Sequence, residues 1–392
     1  MMNSMTDIRK SIMRVLAVAA VAAMTACSAD DAPTPPTPEC SEYPVSLTVE
    51  ADKGQEARSH NTANLDQISV LAYTGPTRYM DCMVTRDGSG IWRTHDGYSS
   101  NLRTYYWPWS GLDVYAFSGN LENTDATNIY SPLGKGNMTF GERDGSGGMK
   151  WGCPLTISYT VKNGNSDNIG PRADPLFAST IGRTLHDGPV PLNFRHMLCR
   201  VSFAIVNENP TGNVTVRVSQ IAIDNLAGSG VYTPASGKTT SAGLPVSDPS
   251  YGSWAVNYDS RTNFSTYESL DFSMTDNNTG NPRALTLNGN VYEMMLMPQT
   301  MPYTNAVGAV SQPRLALNYS VIDKNGTIIH GNPDGTTLYG YADVPAVTWK
   351  QNTHYVYIFH IKETIVNVEI LPVPFDVNPF VDGGTIVPPV KD

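Results

Sequence analysis

Apolar and polar residues alternate with period two along most of this chain, in short runs separated by Gly, Asn, Asp and Pro. Such runs predict strands with one buried face, and many of them in succession predict a sandwich or a barrel. In the run 43–51, Tyr43, Val45, Leu47, Val49 and Ala51 point one way, and Ser46, Thr48 and Glu50 the other. Residues 67–73 are apolar almost without a break, which predicts a central strand covered on both faces. Runs 80–85 and 91–92 flank Asp87-Gly88-Ser89-Gly90 and predict a hairpin. The long alternating runs 191–206 and 214–226, joined by the turn 207–213, predict a second hairpin. Further strands are predicted over 291–297, 314–323 and 355–370. The stretch 233–281, rich in Gly, Ser, Thr and Asn, predicts long surface loops. No segment of twelve or more residues keeps a helical period, and no repeat at a fixed spacing is present. The chain therefore reads as all-β and not as a solenoid or propeller.

The first 26 residues stand apart from this pattern. Arg9, Lys10 and Arg14 precede a short apolar run over 15–24, too short for a membrane span and of signal-peptide length. The run ends in Met24-Thr25-Ala26-Cys27, small residues before a Cys, where a lipoprotein signal peptidase cuts. This predicts a signal peptide over 1–26, a lipid on Cys27 and an anchor in the outer membrane. Ser28-Ala29-Asp30-Asp31 resembles the export signal that places Bacteroidetes-type lipoproteins on the cell's outer face. Pro33, Pro35, Pro36 and Pro38 make 27–42 an extended, semi-rigid tether. About 350 residues remain, room for two domains of ~150 each. Asp187-Gly188-Pro189 predicts the boundary, with an N-terminal sandwich over 43–187 and a C-terminal one, with its tail, over 188–392.

The net charge is −10 with no basic run, which argues against nucleic-acid binding. Cys82 alternates with Met80 and Val84, and Cys199 with Met197, Val201 and Phe203, so both read as small buried hydrophobes. Pairing among Cys40, Cys82, Cys153 and Cys199 stays open in an oxidising compartment. There is no Cys-x-x-Cys and no zinc spacing, and neither a metal nor a cofactor is predicted. His354 and His360 share a strand face but lie six residues apart, about 20 Å, too far for one metal. His196 reads as packed within its strand. Asp144-Gly145-Ser146-Gly147 lacks the Gly of a nucleophile elbow and repeats the turn at Asp87. No catalytic residue is assigned, and the chain is read as a non-enzyme. Among Tyr105, Tyr106, Trp107 and Trp109, the rings read either as core packing or, for Tyr106, Trp107 and Trp109, as a stacking platform for a glycan.

Several segments, in order, resemble the fimbrillin (Mfa-like) family. Gln67-Ile68-Ser69-Val70-Leu71-Ala72-Tyr73 resembles its early strand. Tyr106-Trp107-Pro108 with Leu112-Asp113-Val114-Tyr115-Ala116-Phe117 is similar to its tryptophan-proline strand pair. Asp174-Pro175-Leu176-Phe177-Ala178, Leu192-Asn193-Phe194-Arg195-His196-Met197-Leu198, Met297-Pro298-Gln299 and the stretch from Trp349 to Tyr357 resemble later family segments. The resemblance implies two tandem transthyretin-like (Greek-key) β-sandwiches in a type V pilus subunit or tip adhesin. It implies lipidation, surface export and cleavage after an Arg near the N-terminus, which fits Arg58-Ser59. That cut would free the strand carrying Val45, Leu47 and Val49, and a strand from another pilus subunit would take its place. A host protein or glycan would be the receptor. The alternative is a non-polymerising surface lipoprotein that binds glycans. Val366, Val368 and Ile370 read as completing the last strand. The prolines beyond them leave only Thr385-Ile386-Val387 as a short donor, so a terminal position in the pilus is as compatible as a stalk position.

Overall fold

The alternation folds as predicted into strands throughout. The computed structural model describes residues 39–51, 65–75, 77–87, 91–123, 130–140, 154–163, 172–234, 252–266, 270, 272–287, 290–362 and 365–374. Among them, every element longer than a single 3-10 turn is a β-strand. The signal peptide, Cys27, the prolines of the tether, Arg58, Ser59 and Thr385-Ile386-Val387 lie outside the described residues.

In chain order the first strands are β1 (Glu39–Pro44), β2 (Leu47–Ala51), β3 (Gln67–Thr74), β4 (Thr77–Arg86), β5 (Trp92–Thr94), β6 (Tyr106–Pro108) and β7 (Leu112–Ser118). There follow β8 (Met138–Phe140), β9 (Pro154–Thr160), β10 (Leu176–Arg183) and β11 (Val190–His196). Seven of these form one sheet in the order β2-β11-β10-β7-β3-β4-β5. Its middle strands are buried on both faces, which explains the unbroken apolar run of β3. Ile68, Val70 and Ala72 face one core with Val114, Ala116, Met80, Cys82 and Val84, while Leu71 and Tyr73 face a second core with Tyr115 and Phe117. The predicted hairpin of β4 and β5 forms, with Thr85 opposite Arg93.

Two expectations need correction. The run 191–206 is not one strand. It breaks at Met197-Leu198 into β11, which pairs with β10 and β2, and β12 (Cys199–Asn207), which belongs to another sheet. The turn around Asp187, Gly188 (φ 74°) and Pro189 therefore joins two strands of a single sheet, and strand pairing carries that sheet across position 188 to His196. Nor do β12 and β13 (Val214–Ala227) form a hairpin. β12 runs parallel to the strand Thr353–Lys362, and β13 antiparallel to Arg314–Asp323. The turn between them arches from one sheet to the next, and Val201, Phe203 and Ile205 share a core with Val216, Val218, Ile221 and Ile223. A hairpin and an arch carry the same alternating signature, because alternation fixes which face is buried and not which edge is paired.

The stretch 233–281 also departs from the expected loops. It contains β15 (Gly252–Val256) and the short strands Arg261–Ser265 and Phe272–Met274. β15 pairs with β14 (Ser229–Pro234), and β14 with β9, so a four-stranded sheet β15-β14-β9-β8 lies against the first. Phe177 is central to that contact. It meets Tyr115 and Phe117 within its own sheet and Tyr232 of β14 across the gap, at 5.7 Å between ring centres in an edge-on arrangement. The strand Ile365–Pro374 pairs in full register with Thr353–Lys362 and forms a sheet edge, where Pro372 and Pro374 are tolerated.

Cys82 and Cys199 are buried, as their alternation predicted, and both are free thiols. Burial pushes the Cys82 thiol up to about 12 and raises that of Cys199 as well. Two measurements check this architecture. Phe177→Ala is expected to cost about 3–5 kcal/mol in urea unfolding, the scale of a large aromatic lost from a core. Cys82 and Cys199 are expected to resist alkylation in the native protein and to react fully once it is unfolded, as read by mass spectrometry.

Candidate functional site

The amino-terminal segment forms an edge of the first sheet. β2 has one hydrogen-bonding neighbour, β11, and lies parallel to it, with Leu47 opposite Val190 and Val49 opposite Leu192. Parallel pairs are slightly weaker per residue than antiparallel ones. Pro191 of β11 lies opposite Thr48, with its backbone turned towards β10, where its carbonyl accepts the Thr180 hydroxyl. The remaining ties include Val190 N–H to Ser46 O at 2.8 Å and Thr48 Oγ1 to Val190 O at 3.5 Å.

Side chains follow the predicted alternation. Val45, Leu47 and Val49 are half-buried against the core that contains Val190, Leu192 and Phe194, while Ser46 and Thr48 are exposed. Being only half-buried, each contributes less than the ~1.5–3 kcal/mol of a fully buried aliphatic side chain. Val190, Leu192 and Phe194 are fully buried, so they form the floor that β2 covers. Their apolar alternation was visible in the sequence, but their pairing with residues some 140 positions earlier was not.

The strand predicted over 43–51 is interrupted at Val45-Ser46. Upstream, β1 pairs with β6 and not with the main sheet, with Cys40 opposite Trp107 and Pro44 opposite Tyr106. This ribbon places the aromatic residues unequally. Trp107 is 3 % exposed and packs in the core under β2, and Tyr106 is half-buried with its carbonyl accepting the Tyr79 hydroxyl. Trp109, 63 % exposed, is the one of the three that presents its ring to solvent. The three rings therefore do not share one solvent-facing platform.

A second polar feature crosses three strands of the neighbouring sheet, and sequence reasoning missed it. Arg200 and Ser202 sit on β12 between the strand Glu293–Leu296 and the strand Thr353–Lys362. Arg200 meets the Glu293 carboxylate at 2.9 Å, and Ser202 shares a 2.7 Å hydrogen bond with His354 Nε2. Close by in sequence, His196 Nδ1 lies 2.8 Å from Asp174. The serine and the aspartate thus hold different histidines. Burial, with the Arg200 charge adding to it, holds His354 well below its ordinary pKa, whereas burial raises the Glu293 carboxyl against the opposing pull of Arg200. The signal available in the sequence was an Arg inside an apolar strand, which is uncommon unless paired.

The sequence profile of the fimbrillin-like family matches residues 56–373, most of the chain, and the protein belongs to that family. Membership makes it a fimbrial subunit or adhesin acting at the cell surface. Among solved structures it is similar to a fimbrial protein from Bacteroides vulgatus, with 17% identity over 85% of this chain and 99% of that one and a TM-score of 0.49. It is also similar to the tip fimbrial protein Mfa3 from Porphyromonas gingivalis, with 13% identity over 79% of this chain and 94% of that one and a TM-score of 0.33. A search of curated proteins finds no match.

The buried neutral His354 sets a pH dependence. Below the ordinary histidine value of 6.5 the unfolded chain takes up a proton there that the native state refuses. The stability this group supplies is complete above 6.5 and falls as the pH drops towards its folded value. The urea midpoint is expected to decline between pH 7 and 5, with a slope approaching about 1.4 kcal/mol per pH unit from this one group. His354→Gln should flatten that part of the profile.

Proposed function

We propose that this fimbrillin-like protein is a pilus subunit or tip adhesin, exported as a lipoprotein through Cys27 and assembled by strand exchange after cleavage at Arg58-Ser59. The observation that supports this most is β2, an edge strand held on one side only, with its apolar residues laid along a fully buried floor. Arg58 follows seven residues after the end of β2, before the chain enters β3. A cut there leaves β2 attached to the sheet by noncovalent contacts alone.

Loss of β2 would bare the edge of β11, with unpaired backbone groups beside Val190, Leu192 and Phe194. An open edge next to an apolar trough is a strong template for another strand. An incoming strand with alternating apolar residues satisfies both demands, as in the donor-strand complementation of pilins. The replacement is favourable if the newcomer pairs more fully than β2 does. The low bar set by five parallel pairs makes that exchange accessible.

The test uses the purified chain lacking its signal peptide, with and without a trypsin-like protease. The expected result is release of a short amino-terminal fragment ending at Arg58 and a ladder of denaturant-resistant oligomers on a gel. Arg58→Ala should give neither. A cut at Arg58 that leaves β2 bound and the protein monomeric, or oligomers that form equally well without the cut, would refute assembly by exchange of this strand.

A further inference from the structure

A cleft of about 620 Å³ opens far from β2 in the chain, where β15 and the loop after it meet the turn leading into the strand Thr353–Lys362. This lies within the range of small-ligand sites, roughly 300–1,000 Å³. Its walls hold two aromatic rings that are pinned in place yet only half-buried. The Trp254 indole N–H donates to Met197 O at 2.7 Å, and the Tyr258 ring stacks on Tyr303 with centres 4.7 Å apart. The Tyr258 oxygen also accepts the Thr300 N–H at 3.1 Å. Rings fixed in this way lose little side-chain entropy when something stacks on them.

The polar lining has a definite character. Seven of the fifteen lining residues are Ser, Thr, Asn or Gln, and none is acidic, although the chain as a whole carries a net charge of −10. Two are cationic: Arg195, near the end of β11, and Lys350, which is exposed.

We propose that this cleft binds a saccharide carrying an acidic group. The apolar C–H face of a sugar ring stacks on the Trp254 and Tyr258 rings, as rings with one apolar face and one wet edge favour. The acidic group lies against the exposed Lys350, whose charge-assisted hydrogen bonds are about twice as strong as neutral ones. Side-chain amides and hydroxyls around pinned rings suit a polyhydroxylated ring better than a peptide, whose recognition leans on main-chain ladders. The site is separate from Tyr106, Trp107 and Trp109 in the chain, and its occupation is independent of strand exchange.

Calorimetric titration of the full chain with a glucuronate trisaccharide tests the proposal, with the matching neutral glucose trisaccharide and a Glu-rich tripeptide as comparisons. The glucuronate is expected to bind at least tenfold more tightly than the neutral sugar. Lys350→Gln should weaken it about tenfold without moving the urea midpoint, and Trp254→Ala should abolish binding. Arg58→Ala should leave binding unchanged. No binding of the glucuronate, equal binding of the neutral sugar, affinity undiminished in Lys350→Gln, or binding of the peptide in place of the sugar would each overturn it. Should Trp254→Ala fail to fold, the Lys350→Gln comparison stands by itself.

Discussion

β2 is tied to the sheet on one side only and in parallel, and the rest of the amino-terminal half is arranged around that tie. The core beneath it is complete only while Val45, Leu47 and Val49 lie along the edge of β11. These residues are half-buried, so the strand closes the core without being locked into it. A sheet edge that is filled yet weakly held is an unusual compromise between solubility and exchange. An open edge invites aggregation, and a well-paired central strand does not leave. The strand's position at the end of the order β2-β11-β10-β7-β3-β4-β5 is what makes this compromise available.

The strands behind that edge are held far more firmly. β7 and β3 are buried on both faces, and Phe177 on the adjacent β10 carries the second face into contact with Tyr232 of the next sheet. One hydrophobic cluster then runs from Leu71 and Tyr115 through Tyr159 and Tyr232 to Phe203 and Trp349. β2 packs against the opposite face of the first sheet and makes no part of this larger cluster. The polar seam of Arg200, Glu293, Ser202 and His354 lies within the second part of the fold. There its unequal partners disfavour a slip in register, since a one-residue shift would strand each charge against an apolar neighbour.

The acidic-sugar cleft and the exchange edge draw on different parts of the same scaffold. β11 contributes to both. Its alternation sends Val190, Leu192 and Phe194 to the core under β2 and leaves Arg195 to line the cleft. If the edge is exchanged on assembly as proposed, such separation keeps the cleft from being lost with it.

Period-two alternation determined by itself that this protein is all-β and that Val45, Leu47 and Val49 share a face, and an unbroken apolar run determined that 67–73 is a central strand. Cys82 and Cys199 as buried thiols were equally legible, because each depends only on the face its own strand buries. The break at Met197-Leu198, the arch between β12 and β13, and the strands within 233–281 were decided by tertiary structure. Alternation says which side of a strand meets a core but is silent on which strand lies beside it, so hairpin and arch look alike. The site shows the same division. The residues of β2 announced their apolar face, whereas its parallel pairing with β11 and the meeting of Arg195, Trp254 and Lys350 join positions up to about 155 residues apart, and only the folded chain brings them together.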